Sequence, residues 1–533
     1  MKIQLQKIIF LNLLFCISLI ASTMQTDISD LTKNSFTTKQ KVIENIVTNY
    51  SEDEKLTLIL KKMLEGDLYY TKYEKQFVIL NKKDGKIYYT TDVFTGKELE
   101  PSNKKMFKKV KTNNKLRSVI RSKLAELNLF SKNVEVRLSS VKNVLKNIDE
   151  DSKELVLKAL KNEKNESVKS VLIEMDTILK AKYGTNEEKL KAIKELGDFL
   201  SAQTLQALKQ IVSSNEDKIL VDLANQSIKS IESSKSFYSI LETAFFGLSQ
   251  GSVLLLAAMG LAITFGVMKV INMAHGEMMM IGAYTTFTLQ QIMPNFIEYS
   301  IIIAIPLAFL VSAMVGIIIE RLVIRHLYGR PLETLLATFG ISLILQQIVR
   351  TIYSPLNQEV KTPSWMSGAW EINGALSLTY NRLYIIIFSI LVFITVLVVL
   401  KKTSLGLKVR AVTQNREMAQ AMGIKTGFID AMTFGIGSGI AGVAGVALSQ
   451  LTNVGPNLGQ AYIVDSFMVV VFGGVGNLWG TLIGAFTLGE INKFIEPTAG
   501  AVLAKVLILV FIILFIQKRP RGLFPQKGRD AED

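Results

Sequence analysis

From about Phe237 almost to the C-terminus the chain is a dense succession of apolar segments, whereas the residues before it are studded with lysine. A bilayer-spanning helix needs roughly 20 apolar residues, because no water is at hand to satisfy its backbone. The second half is therefore expected to be membrane-embedded, and its few polar positions are the candidates for function. With 533 residues, 49% of them hydrophobic, and a formal charge of +15, the chain is long enough for two or more units. It is too apolar for an ordinary soluble enzyme.

At the N-terminus Lys2 and Lys7 lead into an apolar stretch over residues 8–20, with small residues around Ala21, Ser22 and Thr23. This is the pattern of a secretory signal peptide over residues 1–23, with a first membrane anchor as the competing reading. Cys16, the only cysteine, lies inside that stretch behind the bulky Phe15, which disfavours lipidation. Once it is removed the chain has no thiol, which excludes disulfides, a cysteine nucleophile and a cysteine zinc site.

Residues 24–103 read as a mixed α/β region, in which β-rich runs at 77–80 and 86–90 flank Asp84-Gly85, a strong hairpin signal. Over residues 104–236 apolar side chains recur at helical spacing, as in Val168, Val171, Leu172, Met175 and Ile178. Polar breaks such as Gly184-Thr185-Asn186 separate the helices; a HEAT-like repeat array and a compact bundle would both write this pattern. The lysines alternate with Glu and Asp and lack stacking aromatics, so they read as a solvated surface and not a nucleic-acid site.

Apolar spans are expected at about residues 245–268, 276–293, 300–320, 332–353, 382–400, 427–451, 462–475, 478–495 and 500–516, of which the second and seventh are short enough to be broken or re-entrant. The fold class is thus an all-α polytopic membrane protein with eight or nine transmembrane or re-entrant segments over residues 237–526, a tail at 527–533, and a mostly helical soluble domain in front. Arg321, Arg325, Arg330, Lys401, Lys402, Lys408, Arg410, Arg416, Lys518, Arg519 and Arg521 fall in loops on one side if all nine spans cross. Positive residues stay in the cytoplasm, which puts the C-terminus inside and the soluble domain outside the inner membrane.

Three constellations stand out. Asn272, His275 and Glu277 lie at the junction of the first two spans, where polar groups are costly unless they face protein or a cavity. Helix capping and packing compete there with substrate contact. The loop at 406–426 is basic and then amphipathic: Asn415 can cap a short helix through Met418 and Met422, with Arg416 and Glu417 in its first turn and Gly423 ending it. Its exposed Met and Ala suit a partner groove, against the alternative of a membrane-surface helix. Small residues recur at Gly435, Gly437, Gly439, Gly442 and Gly445, a spacing that lets helices pack closely, while Gly473, Gly474 and Asn477 interrupt two short spans. No Gly-x-x-x-x-Gly-Lys-Ser/Thr loop, Gly-x-Ser-x-Gly elbow or His-Glu-x-x-His is present, so neither ATP hydrolysis nor membrane hydrolase chemistry is expected of this chain. No cofactor and no metal site are expected.

At these residues the chain resembles the permease subunits of ABC importers of the branched-chain amino acid type. The resemblance rests on the stretches at 266–277, 409–423, 471–480 and 519–524, in order, and covers residues 241 to the C-terminus. Within that family the urea-type permease is more similar, because it too has a signal-like start and a long exported extension. The resemblance implies a second permease subunit, two cytoplasmic ATPases and an external substrate-binding protein as partners. It makes residues 415–423 the coupling loop, with Arg416 and Glu417 as polar contacts. Urea is neutral, so its pathway wants amide or hydroxyl groups, which Thr264, Asn272, Thr285, Gln450, Asn453 and Asn477 can supply. A zwitterionic amino acid would call for paired charges or helix N-termini at the site. A branched-chain amino acid permease of the same family and a non-transport membrane scaffold are the alternatives.

Overall fold

The computed structural model describes residues 24–525 apart from 51–52, 147, 151 and 215–216. The expected signal peptide, Cys16 and the 527–533 tail lie outside the described residues. The chain forms two compact units that divide between Glu232 and Ser233.

In the first unit α1 (Phe36–Asn49) is capped by Ser35, and α2 (Glu54–Glu65) is capped by Asp53 and ends on Gly66. Strands β1 (Leu68–Thr71), β2 (Phe77–Asp84), β3 (Ile87–Asp92), β4 (Ser102–Asn103) and β5 (Phe107–Lys109) make an antiparallel sheet in the order β4-β3-β2-β1-β5. The expected hairpin is β2–β3, with Asp84 opposite Ile87 across a two-residue turn whose Gly85 takes a positive φ of 56°. Ile43, Ile59, Phe77 and Ile120 pack the core between the sheet, α1, α2 and α3 (Asn114–Asn128).

The helices that follow are α4 (Val134–Leu145), α5 (Ser152–Asn162), α6 (Glu166–Tyr183), α7 (Asn186–Leu196) and α8 (Ala202–Ser213). α6 lies against α4, α5, α7 and α8, and it buries Val168, Leu172, Met175 and Ile178, the stripe its spacing predicts. Thr185 and Glu188 form a capping box that starts α7 at the polar break.

α9 (Lys218–Met268) runs across the boundary between the units. The second unit continues with α10 (His275–Ile292), α11 (Ile297–Leu322), α12 (Pro331–Tyr353), a hairpin of β6 (Ala369–Asn373) and β7 (Leu376–Thr379), and α13 (Tyr380–Lys402). After α14 (Ser404–Gln414) and α15 (Arg416–Ala421) come α16 (Thr426–Ser449), α17 (Leu458–Gly473), α18 (Leu478–Ala499) and α19 (Ala501–Lys518). Every expected span falls on a helix. Among the described residues six helices are long and apolar enough to cross a membrane: α9, α11 with the short turn before it, α12, α13, α16 and α19. α17 has 16 residues, about 24 Å of helix against a hydrocarbon core of about 30 Å, so it does not cross alone.

Burial separates centre from periphery. The most apolar windows of α9 and α16 are 83% and 89% buried, those of α12, α13 and α19 only 28%, 22% and 17%. The last three therefore turn apolar faces outward, to lipid or a partner. α10, α11 and α16 pack on one another through the expected small residues. A Cβ on Gly445 would lie 2.8 Å from the Ala283 nitrogen, and one on Gly282 2.6 Å from the Gly442 Cα. Gly435 and Gly439 receive Ile317 and Phe309 of α11, and Gly437 the methyl of Thr264.

Candidate translocation and coupling sites

α9 ends at Met268, and residues 269–274 lead the chain back into the bundle. His275 Nε2 donates to the carbonyl oxygen of Ala257 at 3.0 Å, eleven residues before Met268, or about 16 Å back along α9. α10 thus begins inside the bundle, with His275 fully buried. Asn272 Oδ1 accepts from the Ala274 amide at 3.0 Å. Glu277 turns away from His275: its Oε1 accepts from Ser342 Oγ and Gln346 Nε2 of α12, both at 2.8 Å. Thr338 Oγ1 accepts from the Met273 amide at 3.1 Å, so Thr338, Ser342 and Gln346, spaced four residues apart, form a polar stripe that ties α12 to this junction. Sequence reasoning passed over the stripe, although polar residues at that spacing in an apolar helix are a readable signal. Two buried atoms here have no hydrogen bond, His275 Nδ1 and Glu277 Oε2.

α17 starts against the same place. A Cβ on Gly276 would sit 2.8 Å from the Gly459 carbonyl carbon, so the first turns of α10 and α17 touch backbone to backbone. The approach to α17 is held by Arg350 Nη2, which donates to Asn457 Oδ1 at 2.8 Å, and by paired amides and carbonyls between Gln358 and Val454. Helix N-termini carry partial positive charge from their unpaired N–H groups. Two of them converge beside a carboxylate.

The other expected pathway residues are dispersed. Thr264 and Thr285 donate their hydroxyls back to carbonyls of their own helices, Gly260 at 3.2 Å and Ile281 at 2.8 Å. Gln450 is buried at the end of α16, with Nε2 on Ser449 Oγ at 3.2 Å, and Asn453 is exposed in the turn beyond. Asn477 caps α18 by accepting from the Trp479 amide at 3.0 Å and donates to the Phe524 carbonyl at 3.3 Å. Gly473 packs on Gly480, and Gly474, at φ 105°, lets the tail close over the break: the amides of Leu523 and Phe524 donate to the carbonyls of Phe472 and Gly473 at 2.9 and 3.1 Å. Charge lies within the helices as well, where Lys505 of α19 pairs with Asp465 of α17 at 2.9 Å.

The basic loop folds as its caps demand. Thr403 caps α14, Asn415 Oδ1 accepts from the Met418 amide at 2.9 Å to start α15, and Gly423 follows at φ 85°. Ala419 is buried with Val409, Val412 and Ile429, while Met418 and Met422 are 61% and 78% exposed and Glu417 is exposed. Arg416 does not reach outward. Its guanidinium makes a two-armed bond to Asp430 of α16, donates to Tyr328 Oη at 2.9 Å and lies over the Tyr328 ring at 4.0 Å. Burial works against its charge, but Asp430 and Tyr328 outweigh burial and hold its pKa above the ordinary arginine value.

Residues 243–516, just over half of the chain, match the family described as "Branched-chain amino acid transport system / permease component". The chain belongs to that family. The permease is 29% identical over 300 residues to the high-affinity branched-chain amino acid transport system permease protein LivH of Salmonella typhimurium, covering 54% of this chain and 97% of that protein. It is 29% identical over 295 residues to the corresponding protein BraD of Pseudomonas aeruginosa, covering 54% and 96%. To the probable branched-chain amino acid transport permease protein LivH of Methanocaldococcus jannaschii it is 28% identical over 286 residues, covering 51% and 88%. No solved structure matches the permease.

Proposed function

We propose that this permease lines the pathway of an ABC importer for small aliphatic α-amino acids, with ATP hydrolysed by two partner subunits, a second permease completing the membrane part and an external binding protein delivering substrate. The observation that carries the substrate is the meeting of the α10 and α17 N-termini at Gly276 and Gly459, beside the free Oε2 of Glu277. A zwitterion matches both: its carboxylate suits converging helix N-termini, and its ammonium suits Glu277. The relatives are named for branched-chain amino acids, which agrees. Urea is the weaker reading, since Thr264, Thr285 and Asn477 spend their polar groups on the protein itself.

Uptake into proteoliposomes holding the assembled importer tests this. Labelled leucine should accumulate with ATP, unlabelled valine should compete and excess urea should not. Glu277→Gln should lower uptake at least about tenfold, because the ammonium loses its counter-charge in a dry site. Competition by urea, with none by valine, would restore the urea reading.

The loop charges favour an external first unit and a cytoplasmic α14–α15 loop. Alkaline phosphatase fused after Ser230 should then be active, and an inactive fusion beside an active cytoplasmic reporter would reverse the orientation.

A further inference from the structure

A second polar recess lies behind α15, away from the α10–α17 junction. It is a cleft of about 470 Å³, within the size range of small-ligand sites, walled by the turn after α11, by α15 and by the start of α16. Glu320 at the end of α11 lines it and is 1% exposed; its Oε2 has no hydrogen bond, and the nearest cation is Arg321 Nε at 3.6 Å. Arg416 and Asp430 form part of the wall but satisfy each other. Arg325 and Lys425 also line it, both exposed. The cleft thus offers one buried acceptor and, at its mouth, two cations.

We propose that this cleft is a regulatory site for a free α-amino acid, the ammonium seated on Glu320 and the carboxylate held by Lys425 together with Arg325. One charge of each sign is what a zwitterion needs, and a buried carboxylate oxygen without a hydrogen bond is costly until a donor fills it. An occupant touches three elements at once: the α11 turn through Arg325, α15 through Arg416, and the start of α16 through Asp430. It ties α15 to α11 and resists any displacement of α15. On the cytoplasmic face, where the basic loops put it, the cleft meets the amino acid that has already been imported. Accumulated product then slows its own uptake. The ligand class rests on the amino acid reading above, but the site is separate from the pathway.

Equilibrium binding and turnover test it on the assembled importer. With neither binding protein nor ATP present, labelled leucine should bind saturably, and Glu320→Gln and Lys425→Gln should each weaken that binding about tenfold or more. In proteoliposomes, leucine enclosed on the cytoplasmic side of the permease should slow ATP hydrolysis stimulated by the external binding protein. The two variants should keep the uninhibited rate and lose the inhibition, which also shows that they fold. Leucine binding that both variants leave unchanged, no saturable binding, or inhibition that survives both substitutions would overturn the proposal. So would a cross-link from Lys425→Cys to a partner ATPase in every turnover state, since the cleft would then hold protein. Failure of the transport reading shows elsewhere, as absent leucine uptake into empty vesicles.

Discussion

Gly445→Val is expected to leave almost no folded permease in the membrane. The first added carbon would already lie 2.8 Å from both the Met279 carbonyl carbon and the Ala283 nitrogen, and still closer to the Met279 carbonyl oxygen. These are backbone atoms of α10 and cannot swing aside as a side chain would. Relief requires α10 and α16 to separate, yet α16 is also pressed on α11, where Gly442 meets Ser312 and the Ala308 carbonyl. Overpacking of a close-packed core costs about 1–3 kcal/mol even where neighbours can adjust, and here the helices themselves must move. Gly340→Ala on α12 is the matched control, because nothing lies within 4 Å of its added carbon. Size-exclusion profiles of detergent-extracted protein read the difference: a sharp peak for Gly340→Ala and aggregate or no protein for Gly445→Val. A monodisperse, transport-competent Gly445→Val protein would mean that α10 and α16 do not pack this closely.

Helix positions in this half were legible because lipid-spanning helices leave long apolar runs, and the close approaches were legible because only small residues allow them. The partners of those approaches were not. Gly445 announces a contact, but that the contact is Met279 depends on how helices cross, which no local pattern encodes. The β6–β7 hairpin was missed because it sits in a loop between spans with mixed composition. The polar residues near the first junction stand out in the sequence, but their bonds run apart: His275 to α9, Glu277 to α12. The depth of the α10 N-terminus decides the chemistry there, and hydropathy does not carry depth. The preference for urea rests on the resemblance to the urea-type permease and on the uncharged polar groups along the spans; the Lys505–Asp465 pair and the meeting of two helix N-termini emerge only in three dimensions. In the basic loop Asn415 and Gly423 are readable as cap and stop. Arg416 was readable as basic, but its partners lie 14 residues ahead and 88 residues behind, so it was assigned outward when it points inward.

That inward geometry changes which substitutions should stop transport. Arg416→Met should be more damaging than Asp430→Asn. Asp430 has a side chain only 5% exposed, against 30% for Arg416, so removing the cation strands a buried carboxylate, whereas removing the carboxylate charge leaves a cation that water can still reach. The expected cost of Arg416→Met is about 3 kcal/mol of local stability, enough to free α15 from α16 while the apolar helices remain packed. Uptake should fall to background with normal amounts of permease in the membrane. Arg416→Met with Asp430→Leu should recover part of it, because no unpaired charge is then left, but not all, because the contact with Tyr328 is gone. Glu417→Gln should be mild, since its carboxylate is exposed, whereas Met418→Asp with Met422→Asp should block partner binding without loosening the loop. Uptake, ATPase co-purification and protease sensitivity at Arg410 separate these cases. If Arg416→Met transports normally while Glu417→Gln does not, the Arg416–Asp430 pair does not anchor the loop, and the outward contact at Glu417 carries the coupling instead.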